Sequence, residues 1–146
     1  MSQTTAKAAV DREPQSRLEQ DRETVRLFLE ASMVPDPDTA MTYMAPDVDI
    51  TFTGGRRYTH PSQSSALNAR RYKWVKKKMD RFDVVPGDAE TIVYSVGSLY
   101  GEWPNGDAFE GNRYVDRFVV RDGKIVKMDV WNDSAERLLQ RHDLDV

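Results

Sequence analysis

The stretch GEWPNGDAFEGNRYVDRFVVRDGKIVKMDVWNDSAERL, Gly101–Leu138, decides the fold. Two runs rich in valine and aromatic residues, Ala108–Arg121 and Lys124–Trp131, flank the pair Asp122-Gly123. Asp-Gly between apolar runs signals a two-residue hairpin turn, whose central residues both need positive φ. The first run alternates with the period of a strand. Asn112, Tyr114, Asp116, Phe118 and Val120 fall on one face, and Arg113, Val115, Arg117, Val119 and Arg121 on the other. Three arginines suit solvent or a subunit contact. The first face is therefore the expected pocket wall, with Asp116 at its centre.

Working outward, Thr91–Trp103 reads as a long strand ended by Pro104-Asn105-Gly106-Asp107, and Asp80–Val85 as a strand ended by Pro86-Gly87-Asp88. Pro61-Ser62 opens a predicted helix that runs to about Met79. Asp47–Thr53 alternates as a strand until Gly54-Gly55 breaks it, and Asp38 is the expected N-cap of a short helix, Thr39–Met44, closed by Pro46. From Ser16 the spacing is helical: Leu18, Val25, Leu27, Phe28, Leu29 and Met33 share a stripe, and Pro35 and Pro37 end it. Residues 1–15 read as a disordered polar tail, 16–142 as one domain, with a short helix after Asp133. Three helices and an early strand, then four strands in meander, give an α+β fold. The expectation is a cone: a curved antiparallel sheet packed on the three helices, with a cavity between.

Composition narrows the function. At 146 residues and net charge −3, one domain with no global basic field is expected, so neither nucleic acid nor membrane is an expected partner. The absence of cysteine excludes disulfides, thiolate catalysis and sulfur-ligated metals. No run of about 18 apolar residues is present, and the N-terminal stretch lacks the apolar core of a secretory signal. A cytoplasmic protein is expected. No HExxH, paired-histidine, Walker or dinucleotide glycine pattern occurs, so no metal and no cofactor are expected.

Three segments, LFLEA (Leu27–Ala31), DPDTAMTYMAPDVDITF (Asp36–Phe52) and GNRYVDRFVVRDGKIVKMDVWND (Gly111–Asp133), together with the element order, resemble the nuclear-transport-factor-2-like cone. Within it they are similar to the SnoaL-like branch of polyketide cyclases, ketosteroid isomerases, limonene epoxide hydrolases, scytalone dehydratases and phenazine-biosynthesis relatives. The resemblance covers roughly residues 17–140 and implies the fold more than the chemistry, because these relatives catalyse unrelated reactions and some catalyse none. It implies a homodimer formed through the sheet. It also places Asp116 where steroid isomerases keep an aspartic acid that donates to the substrate oxyanion. Two other parts of that machinery differ: Phe28 stands for a tyrosine on the first helix, and Phe52 lies near the position of the proton-abstracting carboxylate. The resemblance therefore does not extend to steroid isomerisation by that mechanism.

Several residues could carry chemistry. Asp116 among rings would be desolvated and its carboxyl pushed toward neutrality, as a general acid or base requires; the bland alternative is an exposed carboxylate or one paired with an arginine. His60, between the first strand and the third helix near the expected cavity mouth, is either a general base or a helix cap; in the first case His60 or Tyr58 would assist Asp116 at the mouth. On the last strand Val126, Met128, Val130 and Asn132 share a face. Strict alternation puts Val130 inward and leaves Asp129 to pair with Lys127 or a neighbour, whereas a bulge would turn Asp129 and Trp131 inward. Asn112, Tyr114, Phe118, Met128, Trp131, Asn132 and Tyr94 are the expected substrate contacts. Tyr94 shares its face with Ser98 and Tyr100. The basic run Arg70–Lys78 reads as the wet side of the third helix, with Tyr72 and Val75 inward. The expected activity is a cofactor-free acid/base reaction of lyase or isomerase type (dehydration, isomerisation or aldol-type cyclisation) on a small hydrophobic carbonyl or hydroxyl compound. The alternative is a non-catalytic module that binds a ligand or dimerises. A second polar group converging on Asp116 inside the cavity would discriminate between them.

Overall fold

The computed structural model describes residues 2–141, with side chains from Ser16 onward. Helix α1, Ser2–Met33, is followed by α2, Pro37–Met41, strand β1, Met44–Phe52, and a single 3-10 turn. A short strand β2, Arg56–Tyr58, precedes α3, Pro61–Arg71. Then come β3, Trp74–Pro86, β4, Thr91–Glu102, β5, Ala108–Arg121, β6, Lys124–Asn132, and α4, Ser134–Arg141. The helix α1 extends upstream of Ser16; the side chains of 1–15, where the sequence suggests a disordered tail, lie outside the described residues.

One curved, open six-stranded sheet has the order β2-β1-β6-β5-β4-β3. The expected meander holds from β3 to β6, but the sheet is mixed: β1 pairs parallel with β6 and antiparallel with β2. The strand β2 was not anticipated; its three residues fold back on Ile50–Phe52. At the β5–β6 turn both Asp122 (φ 51°) and Gly123 (φ 75°) are left-handed, as the Asp-Gly pair predicts.

The core lies between the sheet and the helices. Val25, Phe28 and Leu29 of the α1 stripe pack on Ile50, Val93, Phe118 and Met128, and Phe28 meets Phe118 edge-on at 5.7 Å. Two local expectations are corrected. Asp36, not Asp38, caps α2: its carboxylate accepts from the Thr39 N–H (3.1 Å), and Pro37 takes the first helical position, where its missing N–H costs nothing. The third helix stops at Arg71 rather than Met79, and the basic run passes into β3, an edge strand whose exposed lysines oppose edge-to-edge association.

Candidate active site

The β5 alternation places Asn112, Tyr114, Asp116 and Phe118 on the inner face, all buried, as expected. Asp116 is 0 % exposed. Its partner is not an arginine but Lys77 on β3, whose Nζ donates to Asp116 Oδ2 and sits 4.6 Å from the centre of the Tyr114 ring. The Lys77 side chain keeps 19 % of its surface exposed. Asp116 Oδ1 has no hydrogen-bond partner among the described residues. Burial pushes the Asp116 carboxyl above its ordinary value, against the charge and hydrogen bond of Lys77, which pull it down. Beside it, the Tyr114 hydroxyl and Ser95 Oγ share a 2.9 Å hydrogen bond. Burial raises the Tyr114 phenol to about 12, partly opposed by that bond and supported by the Asp116 and Asp80 charges.

Register creates this site. A bulge between Met79 and Arg81 shifts the β3–β4 pairing. Before it, Val75, Lys77 and Met79 alternate inward; after it, Phe82 and Val84 do, so Lys77 is the one charged side chain among the apolar residues on that side of β3. Across from the bulge is Gly97, paired with Tyr114 on β5. A Cβ there would lie 2.0 Å from the Lys78 carbonyl oxygen and 3.0 Å from the Tyr114 ring. Only glycine lets the bulge and the ring occupy the two sides of β4.

Lys77 forms the polar end of a cavity of about 90 Å³ between α1, α3 and the sheet, lined also by Phe28, Phe52, Tyr72, Met128 and Asn132. It continues through shared Ser32, Met33, Asn68 and Tyr72 into a cleft of about 400 Å³ at the end of α1. Its outer size falls in the range of small-molecule sites. Tyr72 is buried, and its hydroxyl donates to Ser134 Oγ at the start of α4. Burial raises its phenol, opposed by the Ser134 bond and the Arg71 charge.

Of the expected site residues, Met128 and Asn132 line the cavity, while Asp116, Tyr114, Phe118 and Asn112 lie behind its wall on the same face. The others do not converge. His60 caps α3: its Nδ1 accepts from the Ser62 N–H (3.0 Å), and Gln63 returns a bond to the His60 N–H (3.1 Å). Tyr58 packs on Phe52 at 6.0 Å, outside the cavity lining. Trp131 is 56 % exposed on the outer face, because β6 passes this point without a bulge; Val130 is inward, and Asp129 faces Arg117 and Lys127 at 3.7 Å each. Tyr94 is also on the outer face. The buried face of β4 carries Thr91, Val93, Ser95, Gly97 and Leu99, since Ser95 pairs with Asp116. Lys77, Ser95 and Tyr72 are the site residues that sequence reading missed. Lys77 is hidden in a run of three lysines, and nothing local marks which one turns inward.

No protein-family model matches this sequence, and no curated protein matches it. Solved structures do. An NTF2-like protein of unknown function from Burkholderia pseudomallei K96243 superposes with a TM-score of 0.68 at 18% identity, over 83% of this chain and 95% of its own. A protein assigned as a SnoaL-like polyketide cyclase from Jannaschia sp. CCS1 gives 0.63 at 18% identity, over 83% and 90%. TerC, co-crystallised with polyporic acid, gives 0.64 at 14% identity, over 86% and 97%. With the curved sheet packed on its helices around Lys77 and Asp116, these likenesses show that the chain has the NTF2-like fold.

Proposed function

We propose that this protein is a cofactor-free acid/base enzyme acting on a small hydrophobic molecule that carries a carbonyl or hydroxyl group. The observation that carries the proposal is Lys77, whose ammonium bonds the buried Asp116 carboxylate and also lines the cavity. Lys77 supplies a second polar group on Asp116 and carries it to the cavity surface, which supports the enzyme reading over a lone structural carboxylate. The substrate enters by the cleft at the end of α1, lays its apolar body against Phe28, Phe52 and Met128, and brings its oxygen to Lys77. Lys77 passes one proton to Asp116, and the free amine takes the substrate's C–H proton, so that charge develops on the substrate oxygen beside the re-formed ammonium. A fixed ammonium in a water-poor cavity stabilises such charge far better than water does. Asp116 does not touch the substrate. It positions Lys77 and receives the proton that Lys77 gives up. A dehydration, isomerisation or aldol-type cyclisation all pass through such an oxyanion. TerC, with its bound polyporic acid, is a precedent on this fold for a small organic occupant.

The test is exchange of the α-hydrogens of cyclohexanone with deuterated solvent, followed by NMR. The native protein should accelerate exchange over buffer, and Lys77→Met should lower that rate by roughly two orders of magnitude. Binding of cyclohexanone with equal exchange in both proteins would leave a ligand-binding module instead.

A further inference from the structure

A second concave surface lies between α4 and the ends of β4 and β5, with a volume of about 860 Å³. It shares no lining residue with the cavity at Lys77, and only Trp74 with the cleft that leads to that cavity. Its wall is aromatic: Trp103 packs on Phe109 at 4.4 Å, and Trp74 meets Tyr100 edge-on at 5.9 Å. Two guanidinium groups of α4 rim it. Arg141 lies 5.5 Å over the Trp103 ring and only loosely pairs with Asp107, at 3.7 Å. Arg137 spans the edge of β5, where its hydrogen bond is a long one to the Glu110 carbonyl (3.4 Å); among the described residues it has no carboxylate within 4 Å. Of the two acids there, Glu102 already accepts from the Trp74 indole N–H, and Glu110 stands at the exposed rim.

Asn112 also lines this groove, fully buried. One side of its amide donates to Ser134 Oγ (3.2 Å); the other has no partner among the described residues. Turning the amide over only exchanges which atom is left. A buried polar atom without a partner is costly, and a ligand group that pairs with it recovers that cost.

From exposed rings, loosely held guanidiniums and an orphaned amide in one groove, we infer a second ligand site that binds a planar aromatic carboxylate. The ring system stacks against the exposed rings of Trp74 and Tyr100, the carboxylate takes Arg137 and Arg141 in the forked geometry that guanidinium favours, and a polar substituent reaches Asn112. This site is independent of the reaction proposed at Lys77.

The three tryptophans make the test internal. Trp103 lines the groove alone, Trp74 lines both the groove and the cleft at the end of α1, and Trp131 lies on the outer face of the sheet. In a titration with 2-naphthoate followed by nitrogen-resolved NMR, the indole N–H signals of Trp74 and Trp103 should move while that of Trp131 stays. The double variant Arg137→Gln, Arg141→Gln should weaken 2-naphthoate by about tenfold or more, a difference of about 1.4 kcal/mol. It should leave the uncharged 2-naphthamide little changed. Lys77→Met should bind 2-naphthoate as the native protein does. Three results would overturn the inference: no shift of the groove tryptophans, equal affinity of acid and amide in the native protein, or loss of naphthoate binding in Lys77→Met. The last would move the ligand into the inner cavity.

Discussion

Replacing Lys77 by methionine removes the ammonium, keeps most of the stem, and strands a carboxyl that is wholly buried. Asp116 then has two routes. It can stay ionised without a partner, which costs about 3–5 kcal/mol for a broken buried pair. Or it can take up a proton, which costs about 1.4 kcal/mol for each pH unit above the unfolded-state value near ~3.9. At pH 7 the second route amounts to about 4 kcal/mol and at pH 4 to almost nothing, so the penalty is capped and strongly pH-dependent. The native protein already carries part of it, because burial outweighs Lys77 and holds its carboxyl raised. The difference between the two proteins should therefore be less than about 4 kcal/mol at pH 7.

The direction follows from linkage. A folded-state value above the unfolded one gives stability that is complete below about pH 4 and lost as pH rises through the folded value. Without Lys77 that loss continues to higher pH, so the two stability curves coincide in acid and separate toward neutrality. Urea unfolding at pH 4, 5, 6 and 7, at constant ionic strength, measures this. Adding Asp116→Asn to Lys77→Met removes the titrating group and should restore much of the loss at pH 7. Curves that stay within about 0.5 kcal/mol of each other at every pH would refute the coupling of these two residues.

Further outcomes are expected. Gly97→Ala places a methyl against the Lys78 carbonyl and the Tyr114 ring, so it should destabilise by about 1–3 kcal/mol or more, read as a lower thermal midpoint. An unchanged midpoint would show that the bulge relaxes freely. His60→Ala removes a helix cap and should cost about 0.5–2 kcal/mol while leaving cyclohexanone exchange intact; a loss of exchange without a loss of stability would return His60 to the site. Val115 and Trp131 are opposite each other and exposed on the outer sheet face, which we propose as the contact with a second copy. Native protein that sediments only as a monomer at tens of micromolar, roughly the range of a weak specific interface, rules that out; otherwise Trp131→Glu should produce the monomer. Deleting residues 1–15 should shift the thermal midpoint by only a few degrees, less than the effect of about 1 kcal/mol.

The sequence alone determined the parts in which one strong local signal stood unopposed. In β5, polar and aromatic residues alternate with arginines, so period two identified the buried face and put Asp116 within it. Asp122-Gly123 fixed the hairpin, because few other pairs adopt two left-handed residues in succession. The apolar stripe of α1 named Val25, Phe28 and Leu29 as core for the same reason.

Where both faces of a strand are apolar, or one residue type repeats, local pattern has no sign, and only tertiary pairing supplies it. On β4 the outward residues Ile92, Tyr94 and Val96 are more apolar than inward Thr91, Ser95 and Gly97, so hydropathy pointed to the wrong face. The pairing of Ser95 with Asp116 and of Gly97 with Tyr114 decides it. In β3, lysine at 76, 77 and 78 erases the alternation, and a helix-like run of charges conceals a strand edge. The one-residue bulge at Met79–Arg81 selects the inward lysine, because a shift of one residue turns every side chain to the opposite face. Asp116 was therefore legible from its own strand. Lys77, its partner in the buried ion pair, sits 39 residues away and was set by a register that exists only once the sheet has formed.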